Sequence, residues 1–309
     1  MKKNAREIRA YNLDAALFRL HKEEGAPSDF GMDNSVELFE GGFGLYSTQN
    51  TKSRIGPIKS QYFRVSLVRS GHANFDIGIE KYHPAADSIV FGFPGQVFSL
   101  YDKSDDFLAY YMLFSEEFMP DSAFSTRENK ETYPFLTYTG IQCFPLDPVE
   151  ADEIERLIFR INEEIRRRKK DSGKIIQLHI QLILAYADRS YERQALHKEA
   201  SGESSHGLLR RFIKLVEKHF LTQRKVSDYA RMLNVNPDYL NRIIKAHSKK
   251  TAGELIDEMI LTEAKAYLLQ TELSNAEIAY LLEFADPSHF NRFFKKQTNC
   301  TPLQYRNRS

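Results

Sequence analysis

The chain has 309 residues, of which 42% are apolar and 28% charged, with a formal net charge of +1. That is long enough for two or three domains and apolar enough for real cores, while no apolar run approaches the ~20 residues of a bilayer span and Met1–Ala10 is too charged for a signal peptide. The charge is split by position: His206–Ser309 holds 17 Lys+Arg against 11 Asp+Glu, a balance of +6, which leaves −5 on the remainder. A polyanion is therefore expected to meet the last third.

Up to Phe144 the chain is aromatic and punctuated by turns, with 15 of the 22 Phe and 9 of the 16 Tyr. Short runs with strand character occur at Phe63–Val68, Phe75–Ile79, Ser88–Phe93 and Phe107–Phe114. Phe63, Val65 and Leu67 alternate with Arg64 and Ser66, and Phe75, Ile77 and Ile79 with Asp76 and Gly78, the period of half-buried strands. Gly41-Gly42, Ser70-Gly71 and Pro94-Gly95 mark turns. Residues 1–148 read as an antiparallel β-barrel or sandwich. Residues 149–198 read as a helical hairpin: Ile154, Leu157, Ile158, Ile161 and Ile165 keep helical spacing, and a turn at Asp171-Ser172-Gly173 leads into a second helix, Lys174 to about Arg189, that is apolar nearly all round. Such a helix needs cover on several sides, supplied either by a second subunit, with those five residues as the dimerisation face, or wholly within the monomer. Residues 199–206, small and polar, read as a linker to a helical domain at 207–309.

Two helix-turn-helix patterns lie in that domain. In the first, Val226–Leu233 turns Tyr229, Ala230 and Leu233 inward, Asn234 suits a left-handed turn, Asn236 caps a helix begun by Pro237, and Pro237–His247 buries Leu240, Ile243 and Ile244. In the second, Ser274-Asn275-Ala276-Glu277 is a capping box, Asp286 is the next cap, and Pro287–Gln297 buries Phe290, Phe293 and Phe294. A second capping box, Thr251-Ala252-Gly253-Glu254, opens a helix from about Ala252 to Gln270 between the units. A helix entering the major groove presents short polar side chains and arginines to base edges, and its lysines reach phosphates.

Ser274–Arg306 resembles the signature of the AraC/XylS family of bacterial regulators, and Leu233–Lys245 resembles that family's first recognition region. The resemblance implies a seven-helix domain, double-stranded DNA as partner, and base contacts from Asp238, Asn241 and Arg242 in the first helix and Ser288, Asn291 and Arg292 in the second. Lys245, Lys249, Lys250, His289, Lys295 and Lys296 are expected at phosphates. The family's usual glycines are replaced by Lys249, Glu283 and Asn299; the first two would cost roughly 1 kcal/mol each in a left-handed conformation.

The N-terminal region is similar to the cupin-type sensor domain that precedes this module in many members. That implies an α+β two-domain regulator, a small-molecule effector with no binding residue singled out, a homodimer, and RNA polymerase as a further partner of an activator; activator or repressor stays open. No metal or cofactor is expected, since His72 and His83 stand alone and Cys143 and Cys300 lie outside any CxxC or Cys/His cluster. A cytoplasmic, non-enzymatic protein follows. A metal-bearing cupin enzyme with a DNA-binding tail and a pure interaction protein are the rival readings.

Overall fold

The computed structural model describes residues 30–31, 42–49, 51–119, 133–137, 140–196 and 205–307. The expected linker residues 199–204, the N-terminal part of the 1–148 unit and Gly41 of the first turn lie outside them.

Nine strands stand among these residues: β1 Phe43–Ser47, β2 Ile55–Lys59, β3 Phe63–Ser70, β4 Asn74–Ile77, β5 Glu80–Tyr82, β6 Ser88–Gly92, β7 Val97–Tyr101, β8 Leu108–Phe114 and β9 Cys143–Pro145. Every pairing is antiparallel. They form two sheets, β1-β8-β3-β6-β9 and β2-β7-β4-β5, and not the closed barrel expected, for no ladder joins the two among the described residues. The hairpin helices are α1 Pro148–Arg167 and α2 Ser172–Arg193.

The larger sheet is covered on both faces, which explains why the half-buried reading of β3 fails: its first six residues are all buried. Phe63, Val65 and Leu67 face the hairpin, where Phe159 of α1 meets Tyr110 edge-on at 5.4 Å and Arg69 pairs with Asp152 and Glu155. Arg64, Ser66 and Val68 face the second sheet, where the Arg64 guanidinium lies 3.8 Å from the Phe98 ring centroid. β4 keeps the expected alternation, its residues half-buried and buried in turn. Ile154, Ile158, Ile161 and Ile165 are buried in the monomer's own core and Leu157 packs against it, so the first four cannot form the dimer face expected of them. Folding the hairpin onto the sheet takes the apolar stripe that a partner would have needed.

Seven helices complete the described chain: α3 Ser205–His219, α4 Val226–Met232, α5 Pro237–Ser248, α6 Ala252–Gln270, α7 Asn275–Leu281, α8 Pro287–Thr298 and α9 Pro302–Arg306. α6 packs against the rest of this helical domain through Leu255, Ile256, Met259, Ile260 and Leu268, and its other side receives the outer face of the second sheet. Gln270 satisfies the exposed edge of β2, accepting from the Lys59 N–H at 2.6 Å and donating to its carbonyl at 3.1 Å. The Lys59 ammonium pairs with Glu263 of α6, and Ile79, in the β4–β5 turn, joins the helical core.

Beside Ile79, the Glu217 carboxylate lies against Gly78. Burial pushes its pKa well above the usual carboxylate range, and the charge of Glu80 adds to the shift. The folded chain thus holds a proton that the unfolded chain releases as pH rises through the ordinary range. The resulting stability is present in acid and lost toward the raised folded pKa. Glu217→Gln is expected to flatten the fall of the melting temperature with rising pH and to raise it at neutral pH, as read by thermal melts across pH.

Candidate nucleic-acid interface

The two helix-turn-helix units follow one geometric plan, offset by fifty residues over most of its length. Asn236 accepts from the Asp238 and Tyr239 N–H groups at 2.8 and 3.4 Å, with Pro237 in the first turn. Asp286 accepts from the His289 N–H at 2.9 Å, with Pro287 in the first turn. That backbone N–H holds the Asp286 carboxyl below the usual range. The turns before them also match: Asn234 and Glu283 have φ of 54° and 56°, and the next residues close the turn, Val235 N–H to Ala230 O at 3.0 Å and Phe284 N–H to Ala279 O at 2.9 Å. Lys249 and Asn299 end the helices at φ 63° and 60°. Thr251 and Thr301 then open complete capping boxes with Glu254 and Gln304, the second of which the sequence reading missed.

Lys249 and Glu283 therefore do adopt the left-handed conformation where the family has glycine. Glu283→Gly is expected to raise the unfolding free energy by up to about 1 kcal/mol, once the glycine's extra freedom in the unfolded chain is subtracted, as read by urea denaturation.

Caps and buried faces fix which side chains point outward. Asp238, Arg242, Lys245 and Lys249 are exposed on α5 and its C-cap, as are Ser288, His289, Asn291, Arg292, Lys295 and Lys296 on α8. Among the described residues, Arg242, Arg292, Lys245, Lys295 and Lys296 form no close ion pair, and all five are exposed to solvent. Arg242 lies 5.3 Å from the Tyr239 ring, an orienting contact absent from the sequence reading, although the i, i+3 spacing of the pair was visible. His289 sits with its ring 6.3 Å from Phe284, at the start of α8.

Two expected contacts are placed otherwise. The Asn241 side-chain oxygen accepts from the Ala252 N–H at 2.9 Å, tying α5 to α6 instead of standing free for a base. Its counterpart Asn291 makes no such bond because the residue matching Ala252 is Pro302, which has no N–H to give. Lys250 is paired with Glu258 at 2.6 Å, so much of its charge is met within the protein. Two other basic residues are structural: Arg224 donates to the Leu282 carbonyl, and Arg306 to those of Leu268 and Leu273 at 3.0 and 2.6 Å, satisfying helix and loop ends. Among the described residues no group of three or more His, Cys, Asp or Glu is placed to hold a metal, and no helix is long and apolar enough to cross a membrane.

Comparison with known proteins agrees with this geometry. A family model described as a helix-turn-helix domain matches residues 229–308. The HTH-type transcriptional regulator GlxA of Rhizobium meliloti is 36% identical over 26% of this chain and 25% of its own length. The HTH-type transcriptional activator RhaR of Mannheimia succiniciproducens is 26% identical over 50% of this chain and 55% of its own. The solved C-terminal domain of AraT, a response regulator from Geobacillus stearothermophilus, is 32% identical over 33% of this chain and 85% of that one, with a TM-score of 0.32. The chain spans about half or less of the length of the curated relatives named. Residues 229–308 thus form a helix-turn-helix domain similar to those of these transcription regulators.

Proposed function

We propose that this chain is a sequence-specific DNA-binding transcription regulator whose helices α5 and α8 read bases, with the two-sheet domain as the sensor of a small-molecule effector. The observation that carries the reading is the repeated placement of Arg242 and Arg292: each is exposed, has no ion-pair partner among the described residues, and lies one turn into a Pro-started, side-chain-capped helix. Arg292, Asn291 and Ser288 are assigned to bases in one helix and Arg242 and Asp238 in the other. Lys245, Lys249, Lys295, Lys296 and His289 are assigned to phosphates, which fix register without reading sequence. Asn241 serves the fold.

A homodimer belongs to the same proposal on a different face from the one first expected. Leu178 and Leu182, four residues apart on α2, are 51% and 49% exposed. The testing experiment is selection of bound duplexes from a random pool by the full chain at stated salt, with sedimentation of the recovered complex. A recovered motif with two separated conserved blocks and two chains per duplex supports the proposal. Recovery of unrelated sequences overturns the specific reading, and one chain per duplex overturns the dimer.

A further inference from the structure

Asn241 of α5 and Asn291 of α8 hold matching positions, each directly before the arginine assigned to a base, Arg242 or Arg292. Their surroundings differ at one backbone atom. The Asn241 side-chain oxygen accepts from the Ala252 N–H at 2.9 Å, and the side chain is half-buried. Asn291 is exposed and makes no such bond, because Pro302 stands where Ala252 does and has no N–H. The backbone is otherwise the same at the two places. Thr251 and Thr301, the caps before them, have φ and ψ of −71° and 160° and of −75° and 158°, and Ala252 and Pro302 are both buried.

An asparagine identifies adenine with both ends of its amide at once: the oxygen accepts from the exocyclic amino group while the nitrogen donates to the ring N7. Asn291 has both ends to offer. In Asn241 the oxygen is already engaged, which leaves only the donor, and a lone donor meets the N7 of adenine and of guanine alike. Releasing that oxygen is costly. The Ala252 N–H is one of the first-turn donors of α6 that have no partner within the helix, and Ala252 is fully buried, so without Asn241 the group is left unsatisfied.

We infer that the two units read DNA unequally because the Ala252 N–H holds Asn241: α8 specifies an adenine beside the guanine that Arg292 pairs with, whereas α5 specifies no adenine at the matching position. This rests on the reading of α5 and α8 as the base-reading helices, and it adds what each of them selects. Ala252 is a positioning residue, acting through Asn241 without touching DNA. The bound duplex carries two blocks of unequal information, the more exacting one under α8. Ala252→Pro makes the first unit resemble the second. It removes the N–H, it stands at the first helical position, where proline is well accommodated, and Thr251 already has the extended conformation that a following proline demands.

The test is selection of bound duplexes from a random pool by the full chain and by its variants, with Arg242→Ala and Arg292→Ala assigning each block to its helix. An adenine is expected in the Arg292 block, favoured about 5- to 150-fold over the other bases and lost in Asn291→Ala. Asn241→Ala is expected to leave the base preferences of both blocks unchanged. Ala252→Pro is expected to add an adenine to the Arg242 block, and Ala252→Pro combined with Asn241→Ala to lose it again. A preference in the Arg242 block that Asn241→Ala erases, an Asn291→Ala motif identical to the parent's, or an Ala252→Pro chain that melts like the parent and selects the parent's motif overturns the inference. If Ala252→Pro does not fold, the two alanine variants decide alone. A two-block motif whose blocks both require the adenine, or both lack it, removes this inference and keeps the regulator reading, whereas recovery of no motif removes both.

Discussion

Replacing Arg292 by alanine is expected to weaken binding to the chain's selected duplex by about 5- to 150-fold, that is by about 1–3 kcal/mol, and to relax base preference at one position. The size follows from the loss of a bidentate arginine–guanine contact, which carries that much discrimination against a wrong base. Nothing inside the protein is expected to compensate, because Arg292 has no carboxylate partner among the described residues and its loss leaves the packing of Phe290 and Phe294 intact. Lys295→Ala should behave differently, weakening all sequences alike and lowering the salt slope by about one. Lys250→Ala should do little, since Glu258 already meets its charge. Fluorescence anisotropy on the selected and a scrambled duplex at several salt concentrations checks all three. An Arg292→Ala protein with unchanged affinity and unchanged base preference removes α8 from the reading.

Lys59→Met is expected to destabilise the folded chain by about 3–5 kcal/mol, the largest single effect foreseen here. Glu263 is 2% exposed, and its Oε2 already lacks a hydrogen-bond partner. Lys59 is the cation paired with its other oxygen, and removing that ammonium leaves a carboxylate in the contact between the second sheet and α6. The double variant Lys59→Met, Glu263→Leu should recover most of the loss, because an apolar pair of similar volume avoids the desolvation cost of both charges. Urea denaturation followed by a probe in each domain measures the effect. A loss below about 1 kcal/mol would mean that the contact opens and water solvates Glu263, and the two domains would then unfold separately.

Docking of the sheet on α6 bears on the proposed function because α6 connects the unit that holds α5 to the unit that holds α8. The helix is held by one buried ion pair, by Gln270 bonding both backbone groups of Lys59, and by Ile79 in the helical core. These contacts make the outer face of the second sheet part of the helical domain's support.

Local chemistry made the helical domain legible in the sequence. Ser274, Thr251, Asn236 and Asp286 cap their helices as read, Pro237 and Pro287 stand in their first turns, and α6 runs from Ala252 to Gln270 as expected. A cap, a first-turn proline and a helical stripe act within one or two turns, so neighbouring residues suffice to specify them. For the same reason the left-handed residues at Asn234, Lys249, Glu283 and Asn299 could be anticipated from their positions at turns and helix ends.

Tertiary structure decided everything that depends on what covers a face. Period-2 alternation marked β3 as a strand but made Arg64 look like its wet side; only the second sheet turns that side into an interior and the arginine into a buried, unpaired charge. Helical spacing identified Ile154, Ile158, Ile161 and Ile165 as one apolar stripe, yet spacing does not say whether a stripe meets its own sheet or another chain, and the sheet took it. Asn241 and Asn291 occupy equivalent positions, and only the neighbouring helix start, Ala252 in one unit and Pro302 in the other, separates the residue that ties α5 to α6 from the one that makes no such bond. Sequence determined the elements and their ends because those are settled by contacts a few residues long. Which faces are inside was settled by packing between segments distant in the chain, which no local pattern encodes.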